Sequence, residues 1–173
     1  MNSIYIRAFT LIELLVTVAV LSVLLGIAIP NFRSLVERHH RSTASLDLLE
    51  ALNHARGLAV TRRERISLCA GIDICNASAD WEDGIIIFSD PNQNGTLDAG
   101  EQLHRVTTLP DEYHWNWSNF RSRTFMTYKA NGTTDSLNGT YTLCSRGEAI
   151  QQLVINITGR LRTRSPEGNG ACT

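Results

Sequence analysis

Arg160, Arg162 and Arg164 alternate with Leu161 and Thr163 directly after Gly159, so an extended backbone puts three guanidinium groups on one side. Alternate residues of a strand lie about 6.6–6.8 Å apart, a scale similar to successive phosphates along one DNA strand. The chemistry that fits such a row is phosphate recognition. Arg121, Arg123 and Lys129 are further cations that would flank it. The plainer role for the same residues is a basic edge strand that discourages other strands from pairing with it.

A second pattern is acidic. Asp90, Asn92, Asn94, Thr96, Asp98 and Glu101, with Gly95 at the sixth position, have the spacing of an EF-hand calcium loop, so calcium is the one ion this chain invites. The flanks argue for something else. Ile85-Ile86-Ile87-Phe88 and Leu103-His104-Arg105-Val106 read as two strands of a hairpin rather than two helices, and Asp and Asn in a long turn bond their own backbone without any metal. No cofactor is otherwise expected. Enzyme chemistry finds no support: the sequence has no GxSxG, phosphate loop or HExxH, and its five histidines are scattered.

The four cysteines, Cys69, Cys75, Cys144 and Cys172, lack the paired spacing of a zinc site and read as two disulfides of an oxidising compartment. The short separation favours Cys69 with Cys75, which leaves Cys144 with Cys172, although four cysteines allow three pairings.

The elements that must carry these groups begin with Phe9–Ile29, an apolar run interrupted by one charge, Glu13, and long enough to cross a bilayer as a helix. A carboxylate inside such a run needs a partner. After Pro30 the apolar positions Leu35, Leu46, Leu49, Leu52, Ala55, Ala59 and Val60 recur at helical spacing up to about Arg65. The alternation Ile66, Leu68, Ala70 then opens a half-buried strand. Further strands are expected at 84–88, 102–108, 113–117, 124–129, 140–144 and 151–158, separated by Asn-Gly, Asp-Gly and Pro-Asp turns. Of six Asn-x-Ser/Thr triplets, at Asn76, Asn94, Asn116, Asn131, Asn138 and Asn156, three are Asn-Gly-Thr, which reads as hairpin turns, and no glycan is expected. Trp81, Trp115 and Trp117 read as core. The class is α+β, a long helix packed on an antiparallel β-sheet head. Formal net charge is only -1, but seven arginines against four acids in 31–65, seven acids alone in 66–101, and eight basic residues against five acids in 102–173 segregate it. Any nucleic-acid contact therefore rests on a local patch.

Ala8-Phe9-Thr10-Leu11-Ile12-Glu13 resembles the processing motif of type IV pilins and type II secretion pseudopilins, with Ala8 where the family usually has Gly. The resemblance implies a leader, residues 1–8, removed by prepilin peptidase between Ala8 and Phe9. It also implies N-methylation of Phe9, a membrane and filament-core helix over 9–29, an amphipathic half over 30–65 and a β-rich head over 66–173. Glu13 would meet the Phe9 amine of a neighbouring subunit in the assembling filament. The order of helix, cysteine pair, Trp81-Glu82-Asp83-Gly84 and acidic turn resembles the GspH and FimT/FimU branch of that superfamily.

Membership implies a bacterial inner-membrane protein with a periplasmic head, later part of a pilus or pseudopilus, whose partners are other major and minor pilins. Gly159-Arg160-Leu161-Arg162 is similar to the Gly-Arg-x-Arg motif of FimT-type minor pilins, which implies DNA binding in natural transformation through Arg160 and Arg162. The alternative within the same branch is a subunit that primes assembly of a pilus or a type II secretion pseudopilus through protein contacts.

Overall fold

The computed structural model describes residues 10–166 and Cys172; Ala8 and Phe9, with the expected cleavage and methylation, lie outside them. Among the described residues one helix, α1 (Leu11–Arg62), is followed by nine strands. They are β1 (Ile66–Ala70), β2 (Asp80–Trp81), β3 (Gly84–Ser89), β4 (Leu103–Thr108), β5 (His114–Asn119), β6 (Met126–Tyr128), β7 (Gly139–Ser145), β8 (Glu148–Ile155) and β9 (Leu161–Arg164). The chain divides into two compact units, Met1–His40 and Arg41–Thr173.

In the first unit the helix starts with a capping box. Thr10 Oγ1 accepts from the Glu13 backbone N–H at 3.3 Å, while Glu13 Oε2 accepts from the Thr10 N–H at 2.9 Å and its hydroxyl at 3.0 Å. The side chains from Leu11 to Ile29 are exposed all around, and a helix apolar on every side belongs in a bilayer or a bundle. The helix continues through Pro30, and the Asn31 side-chain amide donates to the Ile27 carbonyl at 2.8 Å.

The second unit holds the core. The helix buries Ala44, Leu48, Ala51, Leu52, Ala55 and Ala59, a face one step round from the one the sequence suggested. Leu52, Ala55 and Ala59 belong to it and Leu49 is partly buried, but Leu35, Leu46 and Val60 are exposed. Large residues attract a periodicity reading, yet alanines let a helix approach a sheet closely, and here they set the contact face.

The strands form two antiparallel sheets, β4-β3-β1-β6 and β2-β5-β7-β8-β9. β1 is buried along its whole length rather than on one face. Ile66, Leu68 and Ala70 join the main core, while Cys69 packs with Ile86 and Phe88 in a smaller cluster under Leu97, Val106 and Phe125. In the second sheet Tyr141 stacks on Trp117 with ring centroids 4.1 Å apart and meets Trp81 edge-on at 5.1 Å, so the tryptophans are core, as expected. β2 is a two-residue strand that no sequence signal announced, and β8 stops at Ile155 rather than Thr158.

Candidate nucleic-acid interface

Residues 161–164 of the arginine stretch form β9, which among the described residues pairs with β8 alone and is the edge of the second sheet. Register sets the faces. Leu161 lies opposite Ile155 and Thr163 opposite Leu153, while Arg162 lies opposite Val154 and Arg164 opposite Gln152. Paired residues share a face, and Leu161 packs against the core, so Arg162 and Arg164 project outward. Arg160, one alternation earlier, is exposed too. Among the described residues neither Arg160 nor Arg162 forms an ion pair, whereas Arg164 Nε donates to Gln152 Oε1 at 2.8 Å.

The turn leading into β9 is built by Asn156. Its Oδ1 accepts from the Thr158 N–H at 3.1 Å, the Thr158 hydroxyl at 2.7 Å and the Arg160 N–H at 2.9 Å. Gly159 sits at φ 76°, and a Cβ there would lie 2.5 Å from the Gly132 carbonyl oxygen, so only glycine fits. Arg56 of the helix clamps the same place from outside the strands. Its Nε donates to Gly132 O at 2.9 Å and its Nη2 to Thr158 O at 3.1 Å, fastening the 129–134 turn and the β8–β9 turn together. Sequence reading missed Arg56, because its partners are 76 and 102 residues away and no local pattern points to them.

The expected flanking cations divide. Arg121 is exposed, but Arg123 and Lys129 both reach Asp135, each at 3.3 Å, and the Arg123 guanidinium also lies over the Phe125 ring. Burial works to raise the Asp135 pKa, yet the bonds and charges of Lys129 and Arg123 outweigh it and hold the carboxyl below its ordinary value. An anion would have to compete with that carboxylate for both cations.

The disulfides are Cys69–Cys75 and Cys144–Cys172. The second ties Cys172, beyond β9, back to β7.

The acidic loop is organised by its own hydrogen bonds. Asp90, fully buried, accepts from the Ser67 hydroxyl at 2.6 Å and from the N–H groups of Gly95 and Asn94 at 3.1 and 3.2 Å. Both Asn92 and Asn94 donate their amides to Asp98 Oδ2, at 2.8 and 2.7 Å, and Asn94 Oδ1 accepts from the Thr96 N–H at 2.9 Å. Glu101 Oε2 accepts from the Asp98 N–H at 3.0 Å. Gly95 is required twice over: φ is 73°, and a Cβ would strike the Phe125 ring. Asp90, Asn92, Asn94, Asp98 and Glu101, which suggested calcium, thus bond the loop's own backbone and one another.

Residues 44–159 match the family described as Type II transport protein GspH, and residues 5–29 match the prokaryotic N-terminal methylation motif. The chain belongs to the GspH family. It is therefore a minor pilin or pseudopilin, a structural class of protein, anchored in the inner membrane by its apolar helix and then built into a filament. That membership brings contacts with other pilins and with prepilin peptidase. The fold agrees with solved relatives. The type IV minor pilin FimU of Pseudomonas aeruginosa in one crystal form is 24% identical with a TM-score of 0.60, covering 77% of this chain and 97% of that one. A second crystal form of the same pilin gives 24%, 0.55, 74% and 98%. No curated protein matches the chain.

Proposed function

We propose that this GspH-family minor pilin captures DNA in natural transformation through Arg162 on the outer face of β9 and Arg160 just before it, with Arg164 beside them. The observation that carries this reading is the contrast among cations. Arg123 and Lys129 are spent on Asp135, whereas Arg160 and Arg162 stand exposed without an ion-pair partner on a sheet edge fixed by Asn156, Gly159 and Arg56. Because the backbone that carries them is already ordered, only the side chains lose entropy on meeting phosphates, and contacts of this kind read the backbone rather than the base sequence.

Glu13 serves the other half of the function. Within the subunit its carboxylate closes a capping box on Thr10; in the filament it exchanges that role for the Phe9 amine of the next subunit.

The test is a cell expressing Arg160→Ala, Arg162→Ala in place of the natural chain. DNA capture is expected to be lost while filaments still assemble. Loss of filaments with DNA binding by the purified protein unchanged would assign the β9 edge to subunit contacts instead, the role of an assembly-priming subunit.

A further inference from the structure

The outer face of the second sheet carries more than arginines. Asn119 of β5 lies opposite Gly139 of β7, Gly139 opposite Ile155 of β8, and Ile155 opposite Leu161 of β9. One residue further along each chain lie Phe120, Asn138, Asn156 and Arg160. The Phe120 N–H donates to the Asn138 carbonyl at 3.4 Å and the Asn156 N–H to the Arg160 carbonyl at 3.2 Å, so this row continues the sheet. The row of Leu161 faces the core. By alternation the next row faces outward, with Phe120 at one end and Arg160 at the other. Three strand spacings, about 14 Å in all, separate them.

Phe120 is 86% exposed, and among the described residues of Arg41–Thr173 no other Phe, Tyr or Trp is exposed. Its turn is rigid. Asn119 Oδ1 accepts from the N–H groups of Arg121 and Arg123 at 3.1 and 3.0 Å, and the Asn119 amide donates to the Arg123 carbonyl at 2.7 Å. The ring is thus presented on a fixed stem beside the exposed cation Arg121, on the face that carries Arg160 and Arg162. Between the two ends lie exposed Asn138 and Asn156, which add no charge to repel an anion.

We infer that this face takes single-stranded DNA, with one base stacked on the Phe120 ring and the backbone running toward Arg160 and Arg162. The inference rests on the phosphate reading above and names the form of nucleic acid that site prefers. In a duplex the base faces are covered by their neighbours, so a ring at this distance from the phosphate contacts is useful only to a strand whose bases are free. Stacking on an aromatic ring accepts any base, in keeping with contacts that read no sequence.

The experiment uses the full chain in detergent micelles and fluorescence anisotropy with three probes of equal length: oligothymidine, an abasic strand with the same number of phosphates, and a duplex. Oligothymidine is expected to bind about tenfold more tightly than the abasic strand, the scale that stacking one base confers. Phe120→Ala should erase that difference and leave abasic affinity unchanged, and Phe120→Trp should restore it. Equal binding of oligothymidine and the abasic strand, still weakened by Arg160→Ala, overturns stacking and leaves the phosphate contacts standing. No binding of any probe overturns both. Unchanged oligothymidine binding by Phe120→Ala, together with loss of filaments in cells, overturns the inference and assigns the ring to a protein partner.

Discussion

His104 holds its side chain 4% exposed, with Nε2 2.8 Å from the Ser89 hydroxyl and 3.7 Å from Glu64. Ser89 donates its proton to Glu64 at 3.0 Å, so it accepts from a protonated Nε2, which suits a neutral ring with Nδ1 unprotonated. Burial first, then the Arg62 cation and His54, push the His104 pKa below its ordinary value of 6.5, against the pull of Glu64. The unfolded chain therefore takes up this proton at higher pH than the folded one. The stability concerned is complete above about pH 6.5 and is lost as pH falls from there toward the folded value. Thermal melts of the full chain between pH 7.5 and 5 should show that loss, and His104→Gln should flatten it; an equal slope in the variant would contradict the assignment. Residues of this kind were only partly legible. Asn94 and Asn131 announced turns, and in each the Oδ1 accepts from the N–H two residues on; Asn156 does the same, although it fell inside the strand expected over 151–158. The Ser89–His104–Glu64 group gave no such sign, because its members meet only through the pairing of β3 with β4 and the end of the helix.

The β8–β9 hairpin is the element on which the functional reading depends, and Gly159 is its hinge of fit. Gly159→Ala forces a side chain into the left-handed region and against the Gly132 carbonyl, at a cost of about 1–3 kcal/mol. A full-length chain of this size should lose about 2–4 °C of melting temperature per kcal/mol. DNA affinity should fall as well, since Arg160 is the next residue; an unchanged melting temperature would show that the 129–134 turn yields without cost. Alternation of arginine with Leu161 and Thr163 made this strand and its outward face readable from sequence. The helix face was less so. Periodicity found Leu52, Ala55 and Ala59 but credited Leu46, which is 59% exposed, over Ala44 and Ala51, because pattern reading weighs size while close packing rewards smallness. The acidic loop shows a related limit: a calcium loop and a self-capped turn use the same oxygens, so their spacing alone does not tell one from the other.

For the whole molecule, the two disulfides differ in what they hold. Cys144–Cys172 spans 28 residues and encloses β8 and the arginine edge, whereas Cys69–Cys75 spans 6. Loop-closure entropy assigns about 3.6 kcal/mol to the longer link and about 2.4 kcal/mol to the shorter. Denaturant midpoints of the paired Cys→Ser variants should follow that order, and the Cys144→Ser, Cys172→Ser pair should also weaken DNA binding by freeing the end of the chain beyond β9. With a net charge of -1, the molecule offers nucleic acid no general attraction, so binding must follow the local arginines. The most direct measurement is the affinity of the full chain in detergent micelles for a DNA duplex at a series of salt concentrations, beside Arg160→Ala, Arg162→Ala. The expected slope of log affinity against log salt is about -2 to -3, reduced by about 1.8 in the double variant, because each phosphate contact contributes about -0.9. A slope near zero, or one that the double variant leaves unchanged, would contradict DNA capture by the β9 edge.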